Sequence, residues 1–167
     1  KNKTYGEADP QLTYTFAPEL VGNDAFTGKL SRVAGEEVAS YSIQQGDLAL
    51  SNNYTLNYTG ANLAIGKKTI AVKAEAKGKI YGESDPDLSY TFSPELIGND
   101  AFTGKLSRET GEAVGSYAIQ QGDLALNNNY ILDNTNAALT ISKKLDKSES
   151  ENTFTFDGAG IGQYFRN

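Results

Sequence analysis

Residues 22–32 read Gly-Asn-Asp-Ala-Phe-Thr-Gly-Lys-Leu-Ser-Arg, and residues 98–108 repeat them letter for letter. Extending the match outward in both directions pairs residues 1–68 with residues 77–144 at a constant offset of 76 and without a gap; 48 of the 68 positions are identical. Tyr5-Gly6-Glu7 recurs as Tyr81-Gly82-Glu83, Asp9-Pro10 as Asp85-Pro86, and residues 44–50 (QQGDLAL) as residues 120–126. A period of 76 exceeds the roughly 20–45 residues of a solenoid repeat, which is stable only when stacked on its neighbours. A unit of this length can close a core of its own, so the repeat predicts two small folding units in tandem.

The unit itself reads as short strands. Residues 69–76 (TIAVKAEA) place Ile70, Val72, Ala74 and Ala76 at alternate positions, the period of a half-buried strand. Residues 88–92 (LSYTF) alternate again through Leu88, Tyr90 and Phe92. Gly98-Asn99-Asp100, Thr110-Gly111 and Gly122-Asp123 are turn signals. A short strand is expected over residues 105–108, another over 114–120, and a closing hairpin from residues 130–133 and 138–142. No stretch sustains a 3.6-residue period, and only residues 99–104 have room for a single helical turn. Six or seven strands per unit predict an all-β fold, an Ig-like β-sandwich with a β-grasp-like sheet as the alternative.

The two units are not equivalent at their edges. The strand TIAVKAEA precedes the second Tyr-Gly-Glu, whereas residues 1–4 alone precede the first. The expected organisation is therefore residues 1–68 as a first repeat short of its opening strand, residues 69–144 as a complete second repeat, and residues 145–167 as a charged linker and tail. The tail carries one further strand signal, residues 152–157 (NTFTFD). One missing strand and one orphan strand suggest strand addition between neighbouring molecules, with Thr153, Phe154, Thr155 and Phe156 as the donor. The plainer reading is that the chain, starting at Lys1-Asn2-Lys3-Thr4 with no signal peptide visible, is a segment of a longer one whose boundary trims the first strand, and that the tail starts the next module.

Composition narrows the chemistry. The chain has no His, Cys, Met or Trp. It thus lacks the side chain that titrates near neutrality, thiol nucleophiles, thiolate metal ligands and disulfides. With a net charge of −6 and no basic run longer than Lys67-Lys68 or Lys143-Lys144, nucleic acid is not an expected partner. No apolar run approaches the roughly 18 residues of a membrane span. Catalytic carboxylate pairs are not expected either, because nearly every carboxylate is duplicated and an active site is not.

The recurring order Tyr-Gly-Glu-x-Asp-Pro (residues 5–10 and 81–86), Leu-x-Tyr-Thr-Phe (12–16 and 88–92), Gly-x-Tyr-x-Ile (115–119, with 41–43 in the first copy), Asn-Tyr-x-Leu (53–56 and 129–132) and Leu-x-Ile (63–65 and 139–141) resembles the MBG domain of the YGX type. The resemblance covers residues 1–144 and leaves the tail outside. In the first repeat Ala39 stands where the second has Gly115. The family implies tandem β modules in bacterial surface or secreted proteins, often described as adhesins, with no catalytic residues to carry over; no cofactor is expected beyond the Ca²⁺ considered below. On that basis the expected role is an extracellular spacer or stalk, with neighbouring copies of the same domain as partners. A glycan- or host-protein-binding module is the alternative.

Three features are candidate sites. Asp9, Asp85 and Asp87, with Glu7 and Glu83 beside them, are candidate Ca²⁺ ligands, and Asp24, Asp47, Asp100 and Asp123 join if the loops converge. The competing reading is that these residues brace turns through side chain–backbone hydrogen bonds. Tyr5 and Tyr81 are either sugar-stacking faces or rings packed on a domain edge with the hydroxyl hydrogen-bonded. The Gln-Gln-Gly-Asp segments read as solvated loops. Phe-Thr-Gly-Lys at residues 26–29 and 102–105 misses the phosphate-loop spacing and is set aside.

Overall fold

The computed structural model of the chain describes residues 1–145. The donor strand expected over residues 152–157, with Thr153, Phe154, Thr155 and Phe156, lies outside the described residues.

The described chain is all-β, as the turn-rich, helix-poor sequence requires. In the first repeat, β1 (Asn2–Thr4), β2 (Ser31–Arg32), β3 (Ser40–Gln44) and β4 (Ala61–Gly66) form one sheet in the order β1-β4-β3-β2. The second repeat contains β5 (Lys68–Ala74), β6 (Lys77–Ile80), β7 (Tyr90–Ser93), β8 (Ser107–Arg108), β9 (Gly115–Gln120), β10 (Tyr130–Thr135) and β11 (Ala137–Ser142). They form two sheets, β10-β5-β7 and β6-β11-β9-β8. Among the described residues no strand pairing crosses from one repeat to the other.

The offset of 76 explains most of this architecture. β6, β8, β9 and β11 are the counterparts of β1, β2, β3 and β4, and both four-stranded sheets have the same order. The three-stranded sheet belongs to the second repeat alone. Its central strand is β5, the TIAVKAEA segment, paired antiparallel to β7 and parallel to β10. The alternation reads out as expected: Ile70, Val72 and Ala74 are buried and the residues between them are not. They pack against Leu106, Ile119, Leu124 and Leu139 of the facing sheet and loops to make the larger core.

Two details depart from the sequence reading. The alternation continues to Ala76, but the ladder of β5 stops at Ala74; the chain crosses to the other sheet and resumes as β6, leaving Ala76 exposed. The closing hairpin does not form. Only Asn136 separates β10 from β11, too little to reverse the chain, and the two strands run on into different sheets. The first and last strands of the repeat therefore lie side by side in parallel, β5 with β10 and then β6 with β11. Both sheets are thus mixed, and they face each other in two layers.

The first repeat retains a smaller core of Leu30, Ile43, Leu48 and Leu63, with Leu12, Phe26 and Tyr58 packed at its margin. Its residues 14–17 and 54–59, the counterparts of β7 and β10, form no strand. Both would pair with a central strand, and no counterpart of β5 lies between them.

Candidate functional site

Each Tyr-Gly-Glu-x-Asp-Pro loop is held by a cluster of four charges. In the first repeat, Lys3 on β1 extends a side chain only 3% exposed to the carboxylates of Asp9, 2.7 Å away, and Glu36. Arg32 on β2 meets the same two acids, gripping Asp9 with Nε at 2.5 Å and Nη2 at 3.0 Å. Its other amine, Nη1, donates to the carbonyls of Val33 (2.9 Å) and Gly35 (2.6 Å), and the guanidinium lies over the Tyr41 ring at 5.4 Å. The second repeat reproduces the cluster with Lys79, Asp85, Arg108, Glu112 and Tyr117. The planar guanidinium fork matches the two-oxygen carboxylate, so Arg rather than Lys fits this position.

This geometry locates the expected metal ligands. Asp9 and Asp85 each carry two cations on their carboxylates. Asp87 is exposed. Asp47 and Asp123 accept the backbone N–H of Lys29 and Lys105, both at 2.8 Å, which is turn bracing. There Gly28 and Gly104, at φ near +70°, lie against the Asp47 and Asp123 carbonyls so closely that a Cβ would stand 2.0 and 2.1 Å from them. Among the described residues, no group of three or more acidic side chains gathers in a metal-holding arrangement.

The charge cluster makes a prediction. Hydrogen bonds from Arg32, then Lys3, pull the Asp9 carboxyl down to about 2 from an ordinary 3.8; Arg108, then Lys79, do the same to Asp85. Glu36 and Glu112 are lowered as well, and Lys3 and Lys79 are raised. A lowered carboxyl stabilises the fold above its unfolded value and loses that contribution as pH falls through the folded one. Stability is therefore expected to hold down to about pH 4 and to drop between there and pH 2. An acid titration followed by circular dichroism checks this, and Asp85→Asn should flatten the drop.

The loop thus fixed presents Tyr5 to the second repeat. Only Lys67 separates β4 from β5. Tyr5, 9% exposed, donates its hydroxyl to Asp100 at 2.9 Å and meets the Tyr130 ring edge-on at 5.4 Å. Tyr130 donates to the same carboxylate at 2.7 Å and accepts the N–H of Ile97 at 2.9 Å. The Val38 N–H donates to Asn129 Oδ1 at 2.9 Å, and Asn129 Nδ2 donates to Glu37. Ile65, Val38 and Tyr41 of the first repeat join the core of the second. Of the two tyrosines singled out in the sequence, Tyr5 is a packed, hydrogen-bonded ring at the junction, and Tyr81 is 53% exposed.

The receiving half of this junction recurs in the first repeat. Tyr54 donates to Asp24 at 2.7 Å and accepts the N–H of Val21 at 3.0 Å, as Tyr130 does with Asp100 and Ile97. Val21 is 74% exposed there. The inserting half recurs in the second repeat as Tyr81 and Val114, both about half exposed.

A groove of about 770 Å³ separates residues 13–17 from residues 54–59 in the first repeat. Leu30, Ile43 and Leu48 lie at its floor, and Phe16, Leu56 and Tyr58 at its walls.

Sequence reasoning singled out Asp9 and Asp85 but missed Lys3, Arg32 and Glu36 and their counterparts Lys79, Arg108 and Glu112. The signal was present: all four charged positions of the cluster are kept between the copies, but nothing in their spacing shows that they converge. A search of curated proteins and a search of solved structures each found no match. A family model does match, twice, over residues 1–64 and 70–140; it is the model of the MBG domain (YGX type).

Proposed function

The chain belongs to the MBG domain (YGX type) family, two copies in tandem, and from that premise we propose that it is a stiff, non-catalytic spacer segment of an extracellular, adhesin-like bacterial surface protein. The family is one of repeat modules of surface proteins. Each repeat acts as one folding unit, and the junction between units sets the reach of the array.

One observation carries this reading. The Tyr5–Asp100–Tyr130 junction locks the repeats together across a one-residue connection, and both halves of it recur elsewhere among the described residues, where Val21, Tyr81 and Val114 are exposed. Tyr81 and Val114 match Tyr5 and Val38, while Val21, Asp24, Asn53 and Tyr54 match Ile97, Asp100, Asn129 and Tyr130. The same contact can therefore be made again at either face, by a further repeat or a neighbouring copy. A head-to-tail contact of this kind propagates along an axis instead of closing on itself. Ala113 replaces Glu37, so one hydrogen bond of the present junction would not recur.

Rigidity is the measurable consequence. Backbone relaxation by NMR should show the two repeats tumbling as one body, and small-angle scattering should show an elongated pair. Independent tumbling or a compact envelope would overturn the spacer reading. Burial and the Asp100 carboxylate push the Tyr5 hydroxyl up to about 12, and burial raises Tyr130 too. A raised folded value gives a contribution present below the unfolded pKa and lost as pH rises through the folded one. The junction is thus expected to hold to about pH 10 and to loosen between there and pH 12. Tyr5→Phe should remove roughly 1–2 kcal/mol of coupling at neutral pH.

A further inference from the structure

Of the 68 paired positions, 20 differ between the copies (68 − 48 = 20), and three of these fall on the junction. The residues that make its shared contacts are kept: Tyr5 and Tyr81, Val38 and Val114, Asp24 and Asp100, Asn53 and Asn129, Tyr54 and Tyr130. The three that differ are Glu37 against Ala113 on the inserting side, and Val21 against Ile97 and Ser51 against Asn127 on the receiving side.

Ile97 reaches the first repeat at Gly6. A Cβ on Gly6 would collide with Ile97 Cδ1 and stand 2.6 Å from its Cγ1, so the isoleucine fills space that only glycine leaves. Gly82 has the same left-handed backbone, φ +89° against +84°, yet among the described residues a Cβ there would meet nothing within 4 Å. The turn accounts for a glycine at both positions, and the approach of Ile97 sets Gly6 apart. Val21, in the matching place, lacks the Cδ1 methyl. Asn127 acts from behind: its Nδ2 donates to Asp100 Oδ1 at 2.7 Å, and its Oδ1 accepts the Asn129 N–H at 3.0 Å. It thereby holds the two residues that receive the Tyr5 hydroxyl and the Val38 N–H. Ser51 has no side-chain amide with which to do both. Glu37 accepts from Asn129 Nδ2, and Ala113 has no group for that bond.

We propose that Gly6 and Ile97, with Glu37 and Asn127, are the selectivity contacts of the junction. Through them the face carrying Tyr5 accepts a repeat with isoleucine at position 97 and asparagine at position 127 in preference to one built like the first repeat. The repeat so chosen is the second; the one refused is the first repeat of another copy of this chain. The tyrosines, the Asp100 carboxylate and Asn129 give any two repeats a common grip, and the three differing positions fix their order. Without that discrimination, 48 identical positions in 68 would let a repeat of a neighbouring copy compete for the same face. Selectivity of this kind presupposes the docked pair of the spacer reading.

The test uses the full chain and reads amide exchange. The Val38 N–H, bonded to Asn129 Oδ1, reports docking. The Val33 N–H, bonded to the Ser42 carbonyl, and the Glu109 N–H, bonded to the Ala118 carbonyl, report the two repeats themselves. Ile97→Val should speed exchange at Val38 about fourfold, the worth of one buried methyl group. Ile97→Val with Asn127→Ser, which gives the second repeat the receiving face of the first, should speed it by on the order of tenfold or more. Val33 and Glu109 should keep their rates, and Val21→Ile with Ser51→Asn should leave Val38 unchanged. Gly6→Ala should also release Val38, whereas Gly82→Ala, with the same backbone strain, should not. Adding Ile97→Ala to Gly6→Ala should restore part of the protection by clearing the space. If Gly6→Ala unfolds the first repeat, Val33 shows it, and the Ile97→Val chains still decide. Unchanged Val38 exchange in the Ile97→Val/Asn127→Ser chain, or equal release by Gly6→Ala and Gly82→Ala, overturns the selectivity and leaves the spacer reading standing. A Val38 amide unprotected in the unsubstituted chain would overturn both.

Discussion

Val72→Pro is expected to abolish the three-stranded sheet of the second repeat and to destabilise that repeat by at least about 3 kcal/mol. Val72 is 2% exposed and sits in the middle of a strand that is paired on both sides. Proline removes a donor and cannot be shielded at a sheet edge, because β5 has no free edge. β7 and β10 do not pair with each other, so losing β5 strands both. The variant should thus resemble the first repeat: residues 90–93 and 130–135 exchange quickly, and the four-stranded sheet β6-β11-β9-β8 persists. Denaturant unfolding with hydrogen exchange reads both effects. Unchanged protection of β10 would show that the sheet does not depend on its central strand.

The second large effect is expected from a matched pair of core truncations. Leu63 and Leu139 are counterparts, and neither has any exposure. Leu→Ala at such a site costs about 2–5 kcal/mol, the removed transfer energy plus a cavity term. Unfolding of the full chain should show two transitions, the first repeat melting lower because its core cluster is small, Leu30, Ile43, Leu48 and Leu63. Leu63→Ala should move the lower transition and Leu139→Ala the upper. A single transition shifted equally by both would mean that the repeats fold as one unit.

How legible these features were depends on how local their causes are. The repeat, the all-β class and the inward face of β5 follow from periodicity and alternation, which are properties of neighbouring residues. The absence of a counterpart to β5 was legible for the same reason. What it does to residues 14–17 and 54–59 was not, because a strand's fate depends on its partner across the sheet. The apparent hairpin of β10 and β11 failed likewise: alternation identifies two strands but does not say which neighbours they take. The charge cluster joins residues six, 23 and 33 positions apart, so sequence spacing gives no hint of it. Of the two readings of Tyr5, the structure shows the packed, hydrogen-bonded ring, yet its acceptor is 95 residues away, in the next repeat.

The parallel course of the first and last strands has a mechanical consequence. Tension applied at Lys68 and Ser142 draws the start of β5–β6 and the end of β10–β11 in opposite directions along their shared length. The rungs between them, six from β5 to β10 and four from β6 to β11, are then loaded side by side in shear instead of being unzipped one by one. In the first repeat the same pull meets only the three rungs that join β1 to β4.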